Sequence, residues 1–143
     1  MSEPFRYCLR VRYAECDAQK VVFNARYGDY VDLASTEFIR ALGFGEQVIA
    51  GQLDYQLVRQ TTEWKAPARF DDVLALSVSA VHLGTTSFTL AVEFRRHGEP
   101  MLLARSETVY VLVTPQLVKT PLPPAFRSAL EQGAPDRLVS HAG

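Results

Sequence analysis

An α+β fold, with an antiparallel sheet curled around one long helix, is what this sequence predicts, and three observations predict it. A strand-like segment precedes a single strongly amphipathic helix. Segments of alternating pattern follow it over residues 55–114. The helix carries an apolar stripe wide enough to need a sheet wrapped about it. The predicted order is β-α-β-β-β-β in one domain, 1–143, with its core over about 6–125 and a flexible tail over about 133–143.

The first strand runs from Tyr7 to Tyr13, with Tyr7, Leu9, Val11 and Tyr13 on one face and Cys8, Arg10 and Arg12 on the other. A loop over Glu15–Phe23 leads to a helix from about Ala25 to Leu42. Tyr27, Val31, Ala34, Phe38 and Ala41 recur at helical spacing, and Tyr30, Leu33 and Leu42 widen the stripe. Asn24 has the chemistry of an N-cap and Gly43 that of a C′ residue. Asp29 and Asp32 early, with Arg40 late, suit the helix dipole. After a looser stretch to Leu53, strands follow at Tyr55–Lys65, Val73–Val81, Ser87–Arg96 and Met101–Thr114. Phe88, Leu90, Val92 and Phe94 share one face of the third of these, and Leu103, Val109, Val111 and Val113 one face of the last. Pro67, Leu83-Gly84, His97-Gly98 and Pro115 punctuate them, and a short helix over about Pro124–Gln132 caps the end. Four such strands in meander leave edges and an outer face to be covered, which predicts a dimer or a larger assembly.

Composition excludes several classes of function. Apolar residues make up 48% and charged residues 22%, ordinary globular values. Acids and bases balance, 16 against 15, and the basic residues are scattered, so there is no footprint for nucleic acid. Cys8 and Cys16 sit in or beside one strand, where a disulfide would fold that strand back on itself. Reduced thiols and a cytoplasmic location are expected. The N-terminus lacks an apolar signal region and no stretch is long enough to span a membrane. His82, His97 and His141 are far apart in turn or tail contexts, so no metal site is expected. Phosphate-cradling glycine loops, GxSxG, HExxH and CxxC are all missing.

One segment carries chemistry. Residues 12–27, Arg-Tyr-Ala-Glu-Cys-Asp-Ala-Gln-Lys-Val-Val-Phe-Asn-Ala-Arg-Tyr, place two carboxylates in a loop directly before a helix. The unpaired N–H groups at a helix start can hold a developing oxyanion while a nearby carboxylate attacks or activates water. Pattern alone does not choose between Glu15 and Asp17, and both also suit solvated loop acids.

That segment resembles the signature of the hotdog-fold acyl-CoA thioesterases, specifically the 4-hydroxybenzoyl-CoA thioesterase-like (YbgC/FadM-type) family. The features are a strand ending Arg12-Tyr13, then Glu15-x-Asp17, then Val21-Val22-Phe23, then a helix carrying an early Tyr27. Two later stretches, Lys65 to Asp72 and Leu83 to Ser87, are similar to the family's as well. The resemblance implies the hotdog fold, dimers joined edge to edge, and often homotetramers. It implies Asp17 as the catalytic carboxylate, either nucleophile or general base, and the backbone N–H of Asn24 as the group polarising the thioester carbonyl. Tyr27 is a secondary catalytic candidate. Val22, Phe23, Thr86 and Ser87 are candidates for contacting the substrate, with Arg69 (and less so Arg95 and Arg96) for CoA phosphates. The thioester would lie in a cleft between two subunits. Coenzyme A, or acyl carrier protein, enters as part of the substrate, and no separate cofactor is implied.

Two departures stand out: Asn24 where many relatives have His, and Lys20 where many have Gly. If that turn needs a positive φ, Lys20 carries strain. Glu37 lies mid-helix, where another hotdog branch carries its catalytic Glu; a polar contact is the simpler reading. A non-catalytic acyl-CoA-binding module is the alternative function. Hydration or dehydration of an acyl thioester is a weaker one, because residues 15–44 contain no His to pair with a carboxylate.

Overall fold

The computed structural model describes residues 2–143. In chain order the elements are β1 (Phe5–Arg10), α1 (Arg26–Ala41), α2 (Gly45–Ile49), β2 (Asp54–Trp64), β3 (Val73–Leu83), β4 (Ser87–Arg96), β5 (Leu102–Val113), α3 (Pro124–Gln132) and β6 (Leu138–Ser140). The strands form one sheet in the order β2-β5-β4-β3-β1-β6, antiparallel except for the β1–β6 pair. The α+β class and the sheet wrapped around one long helix are as the pattern predicted.

Burial explains the wrap. Tyr27, Tyr30, Val31, Ala34, Phe38 and Ile39 of α1 are all buried. They meet Phe5, Tyr7 and Leu9 of β1, Leu74, Leu76 and Val78 of β3, and Phe88, Leu90, Val92 and Phe94 of β4 in one core. Alternation puts each strand's set on the same face of the sheet, and the stripe on α1 fills the concavity. The helix ends in a Schellman turn: Phe44 N–H donates to Ile39 C=O, Gly43 N–H to Arg40 C=O, and Gly43 takes φ +95°.

Several expectations change. The strand expected over Tyr7–Tyr13 begins at Phe5 and ends at Arg10, and Tyr13 enters a 3₁₀ turn (Tyr13–Glu15) with its ring exposed. Asn24 is not the side-chain cap of α1; the cap position falls on Ala25, in a helical conformation, with no capping side chain. Leu33, counted in the apolar stripe, is 43% exposed. The four later strands are not a simple meander, since β2 pairs with β5 rather than β3. The connection over residues 65–72 is too long for a hairpin and crosses the end of the sheet instead. On β5 the helix-facing side is Ala104, Ser106, Thr108, Tyr110 and Leu112; Val109, Val111 and Val113 share the other face, while Leu103, at the irregularity in the β4–β5 pairing, joins the core. Ser106 and Thr108 tolerate full burial because they pair with Thr62 at 2.6 Å and Gln60 at 3.0 Å on β2. Finally, the tail expected to be flexible over 133–143 turns back instead. Leu138–Ser140 pairs with β1, and the His141 ring meets Tyr7 (hydroxyl to Nδ1, 3.0 Å).

Candidate active site

Between β1 and α1 the chain makes a small hairpin that begins with the residues the sequence singles out. Cys16 bridges Val22, Asp17 N–H donates to Val21 C=O (2.9 Å), and Lys20 N–H donates to Asp17 C=O (2.9 Å). Lys20 adopts φ +62°, so the turn does require the conformation that glycine takes freely. The hairpin is zipped on both sides. Phe23 N–H donates to Glu15 C=O, Val22 N–H to Ala68 C=O and Phe70 N–H to Lys20 C=O.

The two loop carboxylates have opposite environments. Glu15 is 6% exposed and fully engaged: its Oε1 accepts from the Arg12 backbone N–H and the Tyr30 hydroxyl, both at 2.8 Å, and its Oε2 from the Arg12 guanidinium at 2.7 and 3.0 Å. Burial pushes this carboxyl upward, but the hydrogen bonds from Arg12 and Tyr30 outweigh it and hold the group below its ordinary range. Burial and the Glu15 carboxylate push the Tyr30 hydroxyl far up, so it remains a donor. Asp17 is exposed and accepts one hydrogen bond, from Gln19 N–H to Oδ1 at 2.8 Å; its Oδ2 has no partner among the described residues. Of the two, only Asp17 has an oxygen left to react.

Directly after the hairpin the helix begins. Arg26 N–H donates to Phe23 C=O and Tyr27 N–H to Asn24 C=O, whereas the N–H groups of Asn24 and Ala25 find no acceptor among the described residues. Those are the orphan donors of a helix start, without a side-chain cap to quench them. Beside them Val22, Asn24, Tyr27, Trp64, Lys65, Ala66 and Pro67 line a mainly apolar cleft of about 290 Å³. Tyr27 is a wall of it: its ring packs edge-on against Trp64 at 5.8 Å and tilted against Phe94, and its hydroxyl accepts the Ala68 N–H at 3.2 Å. Burial raises the Tyr27 pKa, so this hydroxyl holds the wall and is not a ready acid or base. A larger groove of about 570 Å³ lies elsewhere, among Arg59, Glu63, His82, Arg105 and Glu107. It holds none of the predicted residues.

The remaining candidates fall into two groups. Phe23 is exposed beside the cleft. Arg69 pairs through its backbone with Val21 at the hairpin, and its side chain is exposed. Thr86 and Ser87 are not brought to Asp17 within this chain. They follow the far end of β3, whose near end adjoins the hairpin, and β3 spans 11 residues or roughly 35 Å. They belong with this site only if a second subunit supplies them. Arg95 is paired with Glu93, Arg96 with Asp72, and Glu37 with Arg40. Among the described residues no group of three His, Cys, Asp or Glu side chains gathers to hold a metal, and no helix is long and apolar enough to cross a membrane. Sequence reading missed Glu15 as a hub, Trp64 as a cleft wall and Ala68 as the partner of Tyr27. The i,i+3 spacing of Arg12 and Glu15 was the only signal present for any of these.

Comparison with known proteins gives a consistent result. The family model of the thioesterase-like superfamily matches residues 11–130. The acyl-CoA thioester hydrolase YbgC of Escherichia coli O6:H1 is 32% identical over 116 residues, covering 80% of this chain and 86% of that protein. Among solved structures, a gentisyl-coenzyme A thioesterase superposes with TM-score 0.77 at 28% identity, over 88% of this chain and 98% of the other. A protein of Aquifex aeolicus superposes with TM-score 0.81 at 27% identity, over 89% and 99%.

Proposed function

The chain belongs to the thioesterase-like superfamily and is a thioester hydrolase, and from that premise we propose that it cleaves acyl-CoA to a carboxylic acid and free CoA with Asp17 as the reacting carboxylate. The observation that carries the reading is that the hairpin leaves one Asp17 oxygen unpartnered among the described residues, and the turn leading from it into α1 leaves the Asn24 N–H without an acceptor. The thioester carbonyl oxygen would take the Asn24 N–H, with the positive end of the helix behind it. In one route Asp17 attacks the carbonyl carbon, the CoA thiolate leaves and is protonated by water, and water hydrolyses the resulting anhydride. In the other, Asp17 takes a proton from water as that water attacks. Single turnover in ¹⁸O water tests the first route: label in Asp17 arises only from an anhydride opened at the Asp17 carbon, whereas opening at the acyl carbon labels the product acid, as general-base hydrolysis does.

Asp17 is solvent-exposed in one chain, which favours a site completed by a second subunit. The edge strand β2, 11 residues long and exposed along most of its length, supports a dimer joined through β2, and two such dimers pairing into a tetramer. Lys20 and Arg69, with no side-chain partner among the described residues, suit CoA phosphates. The aromatic walls at Tyr27 and Trp64, together with the gentisyl-coenzyme A thioesterase among the similar structures, make aromatic acyl groups the first to try.

The test is thiol release from a panel of aromatic, short-chain and long-chain acyl-CoAs and one acyl carrier protein thioester. Asp17→Asn should lose about 10²–10⁴ in kcat with its fold intact. Ordinary turnover by folded Asp17→Asn sinks the mechanism, and no turnover of any thioester by the native protein favours a binding module.

A further inference from the structure

We infer that Glu15 and Tyr30 form a clamp that positions Asp17 against the helix start, acting on the reaction through geometry alone. The inference rests on the Asp17 reading above.

Glu15 is the only buried carboxylate among the described residues. A buried carboxylate is costly to place, and this one is retained with four donated hydrogen bonds on its two oxygens. Their directions matter more than their number. Through Oε1 the side chain joins the segment just after β1 (Arg12 N–H) to the first turns of α1 (Tyr30 hydroxyl). Through its own carbonyl it holds Phe23 N–H, the residue before Asn24, at 3.0 Å. Asp17 follows two residues later. One residue therefore fixes the hairpin to both the helix and the peptide that leads to the orphan N–H. Without its side chain the hairpin keeps its turn and its backbone bonds, but loses the link from Arg12 N–H through Oε1 to Tyr30.

The two Glu15 oxygens do different work. Oε1 makes both of its contacts to the parts being aligned; Oε2 holds only the Arg12 guanidinium, whose side chain is 77% exposed. An amide carbonyl at Oε1 can accept the same two hydrogen bonds. Conservative replacement should therefore rescue where truncation fails.

The experiment compares Glu15→Gln, Glu15→Ala and Tyr30→Phe with the native protein on the best thioester found above, each at a temperature well below its melting point and corrected for folded fraction. Misplacement of a reacting group costs roughly 10- to 100-fold in rate. Glu15→Ala and Tyr30→Phe should lose kcat on that scale with KM within about twofold, and Glu15→Gln should stay within about threefold of native. The inference fails if the folded Ala and Phe variants keep native kcat, if KM rises to account for the loss, or if the loss vanishes on correcting for folded protein. It fails too if Glu15→Gln is as impaired as Glu15→Ala, since the charge and not the Oε1 contacts would then matter. Should Glu15→Ala not fold, Tyr30→Phe, which removes one hydroxyl, decides alone. Asp17→Asn run alongside separates the two readings. Full activity there overturns the role of Asp17; its inactivity beside native clamp variants overturns the clamp alone.

Discussion

Lys20 sits in the left-handed region at φ +62°, where a side chain with a Cβ is strained by about 1–2 kcal/mol. Part of that is offset because glycine loses more backbone entropy on folding. Lys20→Gly should therefore stabilise the protein by a net of about 0.5–1 kcal/mol, read as a higher denaturant midpoint at unchanged slope. If Lys20 also serves CoA phosphate, the same variant raises KM while gaining stability, so the two roles separate in one protein. The residue scale also shows what a sequence motif conceals. Glu15 and Asp17 are two positions apart and chemically near-identical. One is enclosed by Arg12 and Tyr30, and the other retains a free oxygen. Their difference is a difference of surroundings, which residue type does not encode.

At the scale of elements, α1 was legible because its period is unbroken and its end is signalled. Gly43 takes φ +95° in the Schellman turn, and a Cβ built there meets nothing within 4 Å, so the obstacle to another residue is backbone strain and not crowding. Gly43→Ala should cost about 1 kcal/mol, visible as a lower melting temperature. Larger losses would mean that α2 is displaced as well. The start of α1 was misread for an instructive reason. Asn24 has the chemistry of a cap, but the hairpin hands the chain to the helix already in helical conformation, and capping passes to nothing. An uncapped start is locally less stable, yet it leaves the Asn24 and Ala25 N–H groups open to a ligand. On β5, Ser106 and Thr108 broke the alternation that would have identified the inner face. Their burial depends on Thr62 and Gln60 in a strand more than 40 positions away in sequence.

For the whole molecule, β2 is the long sheet edge that one chain leaves uncovered. An 11-residue edge with Leu57 and Val58 about half exposed invites pairing with another copy. Val58→Pro should weaken such pairing, because it sits at the bulge of β2 and proline there removes a donor with little effect on the β2–β5 ladder. Light scattering should show a shift toward monomer, and thiol release should fall in parallel if the cleft is shared. An assembly unchanged by Val58→Pro, or a fully active monomer, would exclude a β2-joined shared site.

By itself the sequence determined the α+β class, α1, the bounds of most strands to within a few residues, and the segment on which the proposed site rests. These follow from periodicity, turn residues and one compact motif, all readable over short spans of chain. Tertiary structure alone decided that β2 crosses to β5, that the C-terminal segment returns to β1, that Thr86 and Ser87 lie at the opposite end of the sheet from Asp17, and that Glu15 is clamped while Asp17 is free. Each of those depends on partners distant in sequence, whose meeting is set by the packing of the sheet on the helix and leaves no local trace.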